Sequence, residues 1–143
     1  MALFNINNVA FVRKTAVLLA AKHGHSEVVK ILIDAGADVN KDNEYGESPL
    51  YVAADNGHSE CVALLISANA NMNKADEYGK TPLYKAAENG HSHIVEMLIQ
   101  AGANINQAME DGRTPLYTAA MNKHTRAVSL LIAAKAKINK QNR

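Results

Sequence analysis

The stretch GKTPLYKAAENGH at residues 79–91 has a near copy, GESPLYVAADNGH, at residues 46–58 and a more divergent copy, GRTPLYTAAMNKH, at residues 112–124. The copies are evenly spaced along the chain, with a period of about 33 residues. A fixed period of this size is typical of solenoid proteins, in which one unit cannot bury its own apolar side chains and identical units stack to cover each other. The repeated residues are therefore predicted to serve packing, and the residues that vary between copies are the candidates for function.

Each unit has the punctuation of two short helices. In the third copy, the hydroxyl of Thr81 precedes Pro82 at the start of an apolar stretch, and Gly90 follows it, which predicts a capped helix that ends in a left-handed residue. The stretch SHIVEMLIQA at 92–101 carries apolar residues at the spacing of one buried helix face. The second helices are expected to end at Gly36, Asn69, Gly102 and, in the last unit, Lys135. About ten polar residues then lead to the next unit, a length that suits a hairpin or turn.

The chain is predicted to be a single domain, residues 1–143, made of four such units. Residues 13–40 fit the frame, although Arg13 and Ala16 replace the glycine and the proline. Residues 1–12 are expected to be the tail of a preceding partial repeat or an N-terminal cap, and we leave open whether the chain is a segment of a longer array. The unit boundaries are predicted at 13–45, 46–78, 79–111 and 112–143.

A unit of about 33 residues with TPLY followed by alanine resembles the ankyrin repeat, whose signature is T-P-L-H-x-A, with tyrosine here in place of histidine. The resemblance implies an all-α repeat solenoid of stacked helix-turn-helix-β-hairpin units with a concave face. It also implies a non-catalytic module for protein-protein interaction. The first and fourth units depart from the pattern, as terminal repeats with one neighbour often do.

The resemblance further implies that a partner protein contacts the hairpin tips and the exposed side of each first helix. Carried over by position, these places predict a partner-binding set made of Asp42, Glu44, Tyr45, Glu47, Val52, Asp55, Asn56, Glu77, Tyr78, Lys80, Lys85, Glu88, Asn89, Glu110, Asp111, Arg113 and Met121. Thr118 and Asn122 occupy the same places in the last unit. The competing interpretation of this set is a solvated surface with no partner.

Charge is distributed unevenly along a chain whose net charge is only +1. Residues 42–111 hold eleven acidic and three basic residues, whereas residues 112–143 hold seven basic residues and no acidic one. The acidic centre is predicted to attract a basic peptide or a basic patch of another protein. The basic end could instead meet an anionic surface or the acidic part of a second copy in head-to-tail association; its residues are Lys123, Arg126, Lys135, Lys137, Lys140 and Arg143. Nucleic-acid binding is disfavoured, because these basic residues have no interleaved aromatic residues and match no nucleic-acid-binding motif.

The recurring histidines and the single cysteine could be a metal site and a reactive thiol, but each can also be explained by a role in the fold. His25, His58, His91 and His124 recur once in each unit, but a zinc site needs about four ligands that converge on one point, and one histidine per unit does not supply them. We therefore predict structural histidines and no metal. The single cysteine, Cys61, aligns with Val28, Ile94 and Ala127 at predicted core positions of the second helix, so a buried thiol and a reactive one both remain open. Tyr51, Tyr84 and Tyr117 are predicted to pack between units.

No motif in the sequence indicates catalysis. A phosphate-binding loop, a nucleophile elbow and HExxH are all absent, so neither an enzyme nor a cofactor is predicted. The sequence has neither an apolar run of about 18 residues nor a signal-peptide pattern, which favours a cytoplasmic protein. Two functions remain: an adaptor whose acidic concave face binds a partner protein, or a structural solenoid segment that spaces other domains.

Overall fold

The structure, a computed structural model, describes residues 15–141 and the side chains of residues 15–135. This part of the chain contains eight α-helices and no strand. The predicted tail at residues 1–12 and the side chains of Lys137, Lys140 and Arg143 lie outside it. The helices form pairs, one pair per repeat: α1 (Ala16–Lys22) with α2 (Ser26–Asp34), α3 (Pro49–Asp55) with α4 (Ser59–Ser67), α5 (Pro82–Asn89) with α6 (Ser92–Gln100), and α7 (Pro115–Met121) with α8 (Thr125–Gln141).

Each first helix begins as the sequence predicts. The hydroxyl of Thr81 accepts a hydrogen bond from the backbone N–H of Tyr84 at 3.1 Å. Thr15, Ser48 and Thr114 make the same bond three residues ahead. Such caps satisfy backbone donors that the first helical turn leaves free, and they fix the start of every repeat at the same position.

The helices stack in two layers. The first helices α1, α3, α5 and α7 contact each other in order, and the second helices α2, α4, α6 and α8 form a parallel row behind them. The alanine pair of the second and third repeats is fully buried where the layers meet, and so are Leu65 and Leu98. The small alanine side chains let neighbouring helices pack closely, so one continuous core runs through the stack. The predicted all-α repeat solenoid is confirmed.

In the first three repeats, the glycine that follows the first helix is required by the next repeat. Gly90 has φ +75°, and a Cβ placed on it would lie 2.5 Å from Nδ1 of His124. The His124 ring covers this glycine and donates from Nε2 to the carbonyl of Glu88 at 2.9 Å. His91 and His58 bond in the same way to Asp55 and Lys22. Each of these three histidines thus joins its own repeat to the previous one, which supports the structural interpretation.

The segments between repeats close as hydrogen-bonded turns, without the strand pairing of a regular β-hairpin in the described residues. In one turn, which we call a tip, Oδ1 of Asp76 accepts from the backbone N–H groups of Tyr78 and Lys80, both at 2.9 Å. Asn43 does the same for Tyr45 and Glu47 at 3.0 Å. Asn43 and Asp76 were not among the predicted site residues, although Asn or Asp three places before glycine is a recognised turn signal.

The end of the last helix was predicted wrongly. The second helix of the fourth repeat was expected to end near Lys135, but α8 continues to Gln141. Its siblings end at left-handed residues, namely Gly36, Asn69 and Gly102 with φ of +87°, +63° and +95°. Alanine and lysine occupy the corresponding positions in AAKAK, and both favour helix, so nothing stops the last one there.

Two core predictions fail at the ends of the described stack. Val28 is 46% exposed, while Cys61 and Ile94 at the same position are buried. Tyr117 is 50% exposed, whereas Tyr51 and Tyr84 are buried. Val28 lies on the side of α2 away from the second repeat, and Tyr117 lies on the side of α7 away from the third. Each position is covered only where another described repeat lies on that side.

Candidate functional site

The tips carry two exposed tyrosines of the predicted partner-binding set. Tyr45 is 53% exposed and Tyr78 is 55% exposed. The acidic residues Glu44, Glu77 and Glu110 beside them are also exposed. We call the row made by the three tips the tip ridge; it consists of Glu44, Tyr45, Glu77, Tyr78, Glu110 and Asp111.

Backbone hydrogen bonds place acids and aromatics alternately along the tip ridge. The N–H of Glu77 donates to the carbonyl of Tyr45 at 3.0 Å, and the N–H of Glu110 donates to the carbonyl of Tyr78 at 2.9 Å. The backbone order along the ridge is therefore Tyr45, Glu77, Tyr78, Glu110. A hydrogen bond to Glu77 and the negative charge of that residue raise the pKa of the Tyr78 hydroxyl. These two neighbours thus form one exposed unit that is both acidic and aromatic.

The acids of the tip ridge differ in what they already bind. Asp111 pairs with Arg113 at 2.8 Å. Glu44, Glu77 and Glu110 make no ion pair with a basic side chain among the described residues. Near the ridge, Asp42 pairs with Lys74 at 3.1 Å, and Glu47 accepts a hydrogen bond from the Asn43 amide at 2.9 Å. The unneutralised negative charge of the tip ridge is therefore concentrated on the three glutamates.

A cluster of charged side chains lies on the first helices and holds two repeats together. Lys85 bonds Glu88 and approaches Asp55 of the previous repeat at 3.5 Å, while Lys80 approaches Glu88 at 3.5 Å. The Lys85 side chain is only 15% exposed. The prediction that these four residues simply face a partner is incomplete, because they also neutralise one another.

The ionisation of this cluster follows from its contacts. Burial alone would raise the pKa of Glu88, but hydrogen bonding to Lys85 and the charges of Lys85 and Lys80 hold it below its ordinary value. Burial alone would lower the pKa of Lys85, but Glu88 and Asp55 hold it above its ordinary value. The glutamate contribution to stability is therefore present above the ordinary glutamate pKa and is lost as the pH falls through the lower folded pKa.

The prediction that Val52 occupies an exposed place on the first helix is wrong. Val52 is 4% exposed and Thr118, at the same position, is 3% exposed. This position lies on the side of the first helix that faces the previous repeat, so a neighbouring helix covers it. The sequence did not distinguish Val52 from the exposed residue one turn later, Asn56. Lysine is usually exposed, and Lys85 occupies the same position as Val52, so this position was expected to be exposed as well.

The other first-helix residues of the predicted set are exposed but already engaged in part. The Asn89 amide donates to Asp55 of the previous repeat, at 3.0 Å to its carbonyl and 2.6 Å to its carboxylate. The Asn56 amide donates to the carbonyl of Val52 at 2.8 Å. Met121 is exposed without a comparable contact, and the guanidinium of Arg113 lies 5.8 Å from the centre of the exposed Tyr117 ring. Sequence reasoning assigned Tyr117 to the scaffold and so missed a third exposed tyrosine.

The groups with possible chemistry have structural roles in this fold. The described residues contain no cluster of histidine, cysteine and carboxylate side chains that could hold a metal ion. Cys61 is buried, and its burial and the charge of Glu60 raise the pKa of its thiol, which favours an inert thiol over a reactive one. The hydroxyl of buried Tyr51 donates to Asp76 at 2.8 Å. Tyr84 has Met109 at the corresponding place, which offers no carboxylate for this bond.

The basic end is exposed where its side chains are described. Lys123, Arg126 and Lys135 face solvent. Arg126 approaches Glu96 of the previous repeat at 3.6 Å. Lys123 adopts φ +62°, in the position that glycine occupies in the other repeats. No described histidine ring covers it, so its side chain fits where the interior repeats require glycine.

Comparison of the sequence with models of known protein families agrees with this architecture. A family model of ankyrin repeats (3 copies) matches residues 2–76 and again residues 67–142. The chain therefore belongs to the ankyrin-repeat family, as the TPLY motifs predict. Proteins of this family are generally non-catalytic modules for protein-protein interaction. A search of the curated proteins finds no match to this chain.

Among the described residues, no helix has the length and apolar character needed to cross a membrane.

Proposed function

We propose that this protein is a non-catalytic adaptor that binds a basic segment of a partner protein through its tip ridge and the adjoining first helices. The observation that carries the proposal is the ridge itself, where exposed tyrosines alternate with glutamates that lack an ionic partner in the described residues. Aromatic side chains supply much of the contact energy in protein interfaces, and unpaired carboxylates supply charge complementarity. A cytoplasmic location is part of this proposal.

The geometry of the tips adds support. Each tip is fixed by side-chain and backbone hydrogen bonds, and each is bonded to the next. A preorganised surface loses little conformational entropy on binding, so more of the contact energy appears as affinity. The charged cluster of Asp55, Lys85 and Glu88 then acts mainly as a rigid support, since its charges are satisfied within the protein.

The test is affinity capture of partners from a cell lysate at low and moderate salt. The wild type is compared with a ridge variant, Tyr45→Ala with Glu77→Lys and Tyr78→Ala, and with a matched control, Glu27→Lys on exposed α2. We expect the wild type and the control to retain a partner that the ridge variant loses, and we expect moderate salt to weaken the capture. Equal capture by all three folded proteins would refute binding at the ridge.

The second candidate function is a structural segment of a longer solenoid. It is favoured by Val28 and Ile31 on α2, which are 46% and 66% exposed although the corresponding positions of later repeats face a neighbour. Under this function the end positions, and not the ridge, make the important contacts. Loss of capture in an Ile31→Lys variant, with capture unchanged in the ridge variant, would favour it.

A further inference from the structure

We infer that the segment recognised by the tip ridge is a basic, proline-containing chain in the polyproline II conformation, with a basic side chain at every third residue. This inference rests on the proposed function and specifies the partner of the same site. Its basis is the alternation of Tyr45, Glu77, Tyr78 and Glu110 along one line, set by the backbone hydrogen bonds between tips.

The spacing of the ridge matches one turn of this conformation. Packed helices lie about 8 to 10 Å apart, and each tip leads into one helix of the stacked first row, so equivalent tip residues recur at roughly 9 Å. A polyproline II helix has three residues per turn and rises about 3.1 Å per residue, so every third side chain returns to the same side after about 9 Å. A β-strand shows the same side every second residue, after about 6.7 Å, and does not keep this register.

The chemistry of the ridge fits the same conformation. Exposed Tyr45 and Tyr78 offer ring faces for proline, and polyproline II segments dock into grooves lined by aromatic side chains. The backbone of Glu77 lies between those of the two tyrosines, so its exposed carboxylate is available to pair with a basic side chain that follows the first proline. The third tip has Glu110 and Asp111 but no tyrosine, so it selects charge alone.

The low ordering cost of such a ligand agrees with the rigidity of the site. A polyproline II segment has no internal hydrogen bonds and already populates this conformation when free, so little entropy is lost when it docks. The tips are fixed by the carboxylate of Asp76 and the amide of Asn43, so neither side needs to rearrange.

The experiment uses three fluorescent peptides of about twelve residues, which span about 37 Å as polyproline II. The first repeats Pro-Ala-Lys; the second has the same composition with its lysines contiguous at one end; the third is an alanine-rich helical peptide with lysines seven residues apart, about 10.5 Å along a helix. Anisotropy titrations use the full chain as wild type, as Tyr45→Ala with Tyr78→Ala, and as the Glu27→Lys control. Circular dichroism first checks that all are folded.

We expect the Pro-Ala-Lys peptide to bind at least about fivefold more tightly than its contiguous counterpart, and we expect this preference to disappear in the tyrosine variant but not in the control. Equal affinity of these two peptides would overturn the spacing while leaving the proposed function intact. Tighter binding of the helical peptide would overturn the conformation. If none of the three peptides binds, the whole inference is overturned. The proposed function is tested separately, by comparing capture from lysate by the wild type and by the ridge variant.

Discussion

Substitution of Gly90 by alanine tests the contact on which we base the stacking of repeats. Gly90 has φ +75°, and a new Cβ would lie 2.5 to 2.9 Å from three atoms of the His124 ring. The left-handed conformation costs a residue with a Cβ about 1 to 2 kcal/mol. Moving the ring also weakens its hydrogen bond to Glu88, which adds about 1 kcal/mol. We expect Gly90→Ala to lower the free energy of unfolding by about 2 to 3 kcal/mol.

Gly102→Ala is the matched control for this prediction. Gly102 has φ +95°, so alanine there meets the same backbone strain, but nothing lies within 4 Å of the added Cβ. Its expected cost is only the conformational part, about 1 to 2 kcal/mol. Urea unfolding followed by the helix signal in circular dichroism gives both values from the transition midpoints and slopes.

A double-mutant cycle isolates the ring contact. If the clash with His124 carries the extra cost, Gly90→Ala should cost about 1 kcal/mol less in a His124→Ala background than in the wild type. Equal costs for Gly90→Ala and Gly102→Ala, or no coupling between Gly90 and His124, would refute the argument that the histidine requires glycine beneath it.

Three further predictions follow from the contacts of the first helices. Tyr51→Phe should lower the free energy of unfolding by about 1 kcal/mol through the lost bond to Asp76, while Tyr84→Phe, which lacks this bond, should change it by less than about 0.5 kcal/mol; urea unfolding compares them, and equal effects would contradict the contact. Val52→Asp should lower the free energy of unfolding by about 2 to 4 kcal/mol because the residue is buried, while Ala63→Asp on the exposed face of α4 should lower it by less than about 1 kcal/mol; a cost for Val52→Asp as small as that for Ala63→Asp in the same assay would contradict the burial of Val52. Lys85→Met should destabilise the protein by about 1 to 2 kcal/mol at neutral pH, and the difference from the wild type should shrink as the pH falls below about 4.3, since Glu88 becomes protonated; a difference that stays constant down to pH of about 2.5 would contradict the role of that carboxylate.

The fold follows from features that repeat in the sequence. Thr81, Pro82 and Gly90 mark the ends of one helix, and most of these residues recur at the same positions of the other repeats. An ambiguous helix end in one repeat can therefore be predicted from the equivalent positions of the others. The predictions that failed concern single positions without this support. α8 continues past Lys135 because no glycine or asparagine stands there to end the helix. The wrong prediction came from aligning Lys135 with Gly36, Asn69 and Gly102, which do end the earlier helices.

The candidate site was predictable only in part, because exposure depends on what the next repeat covers. Tyr117 and Tyr84 occupy the same position, and only the packing of a following repeat separates a buried scaffold residue from an exposed one. Val52 and Lys85 likewise share a position. Both side chains are directed towards the previous repeat, and for Lys85 this depends on its contacts with the carboxylates of Asp55 and Glu88, which the sequence does not show.

The alternation of acids and aromatics on the tip ridge is a property of the stack and of no single repeat. In sequence, Glu77 is adjacent to Tyr78 and a whole repeat away from Tyr45, so a linear pattern shows only separate acid-tyrosine pairs. The backbone hydrogen bond from Glu77 to the Tyr45 carbonyl brings this acid next to the tyrosine of the previous repeat. A change that loosens the stacking of repeats should therefore disturb recognition without altering any ridge residue. If the proposed function holds, Gly90→Ala, which strains the contact between the third and fourth repeats, should weaken binding at Glu110 more than at Tyr45.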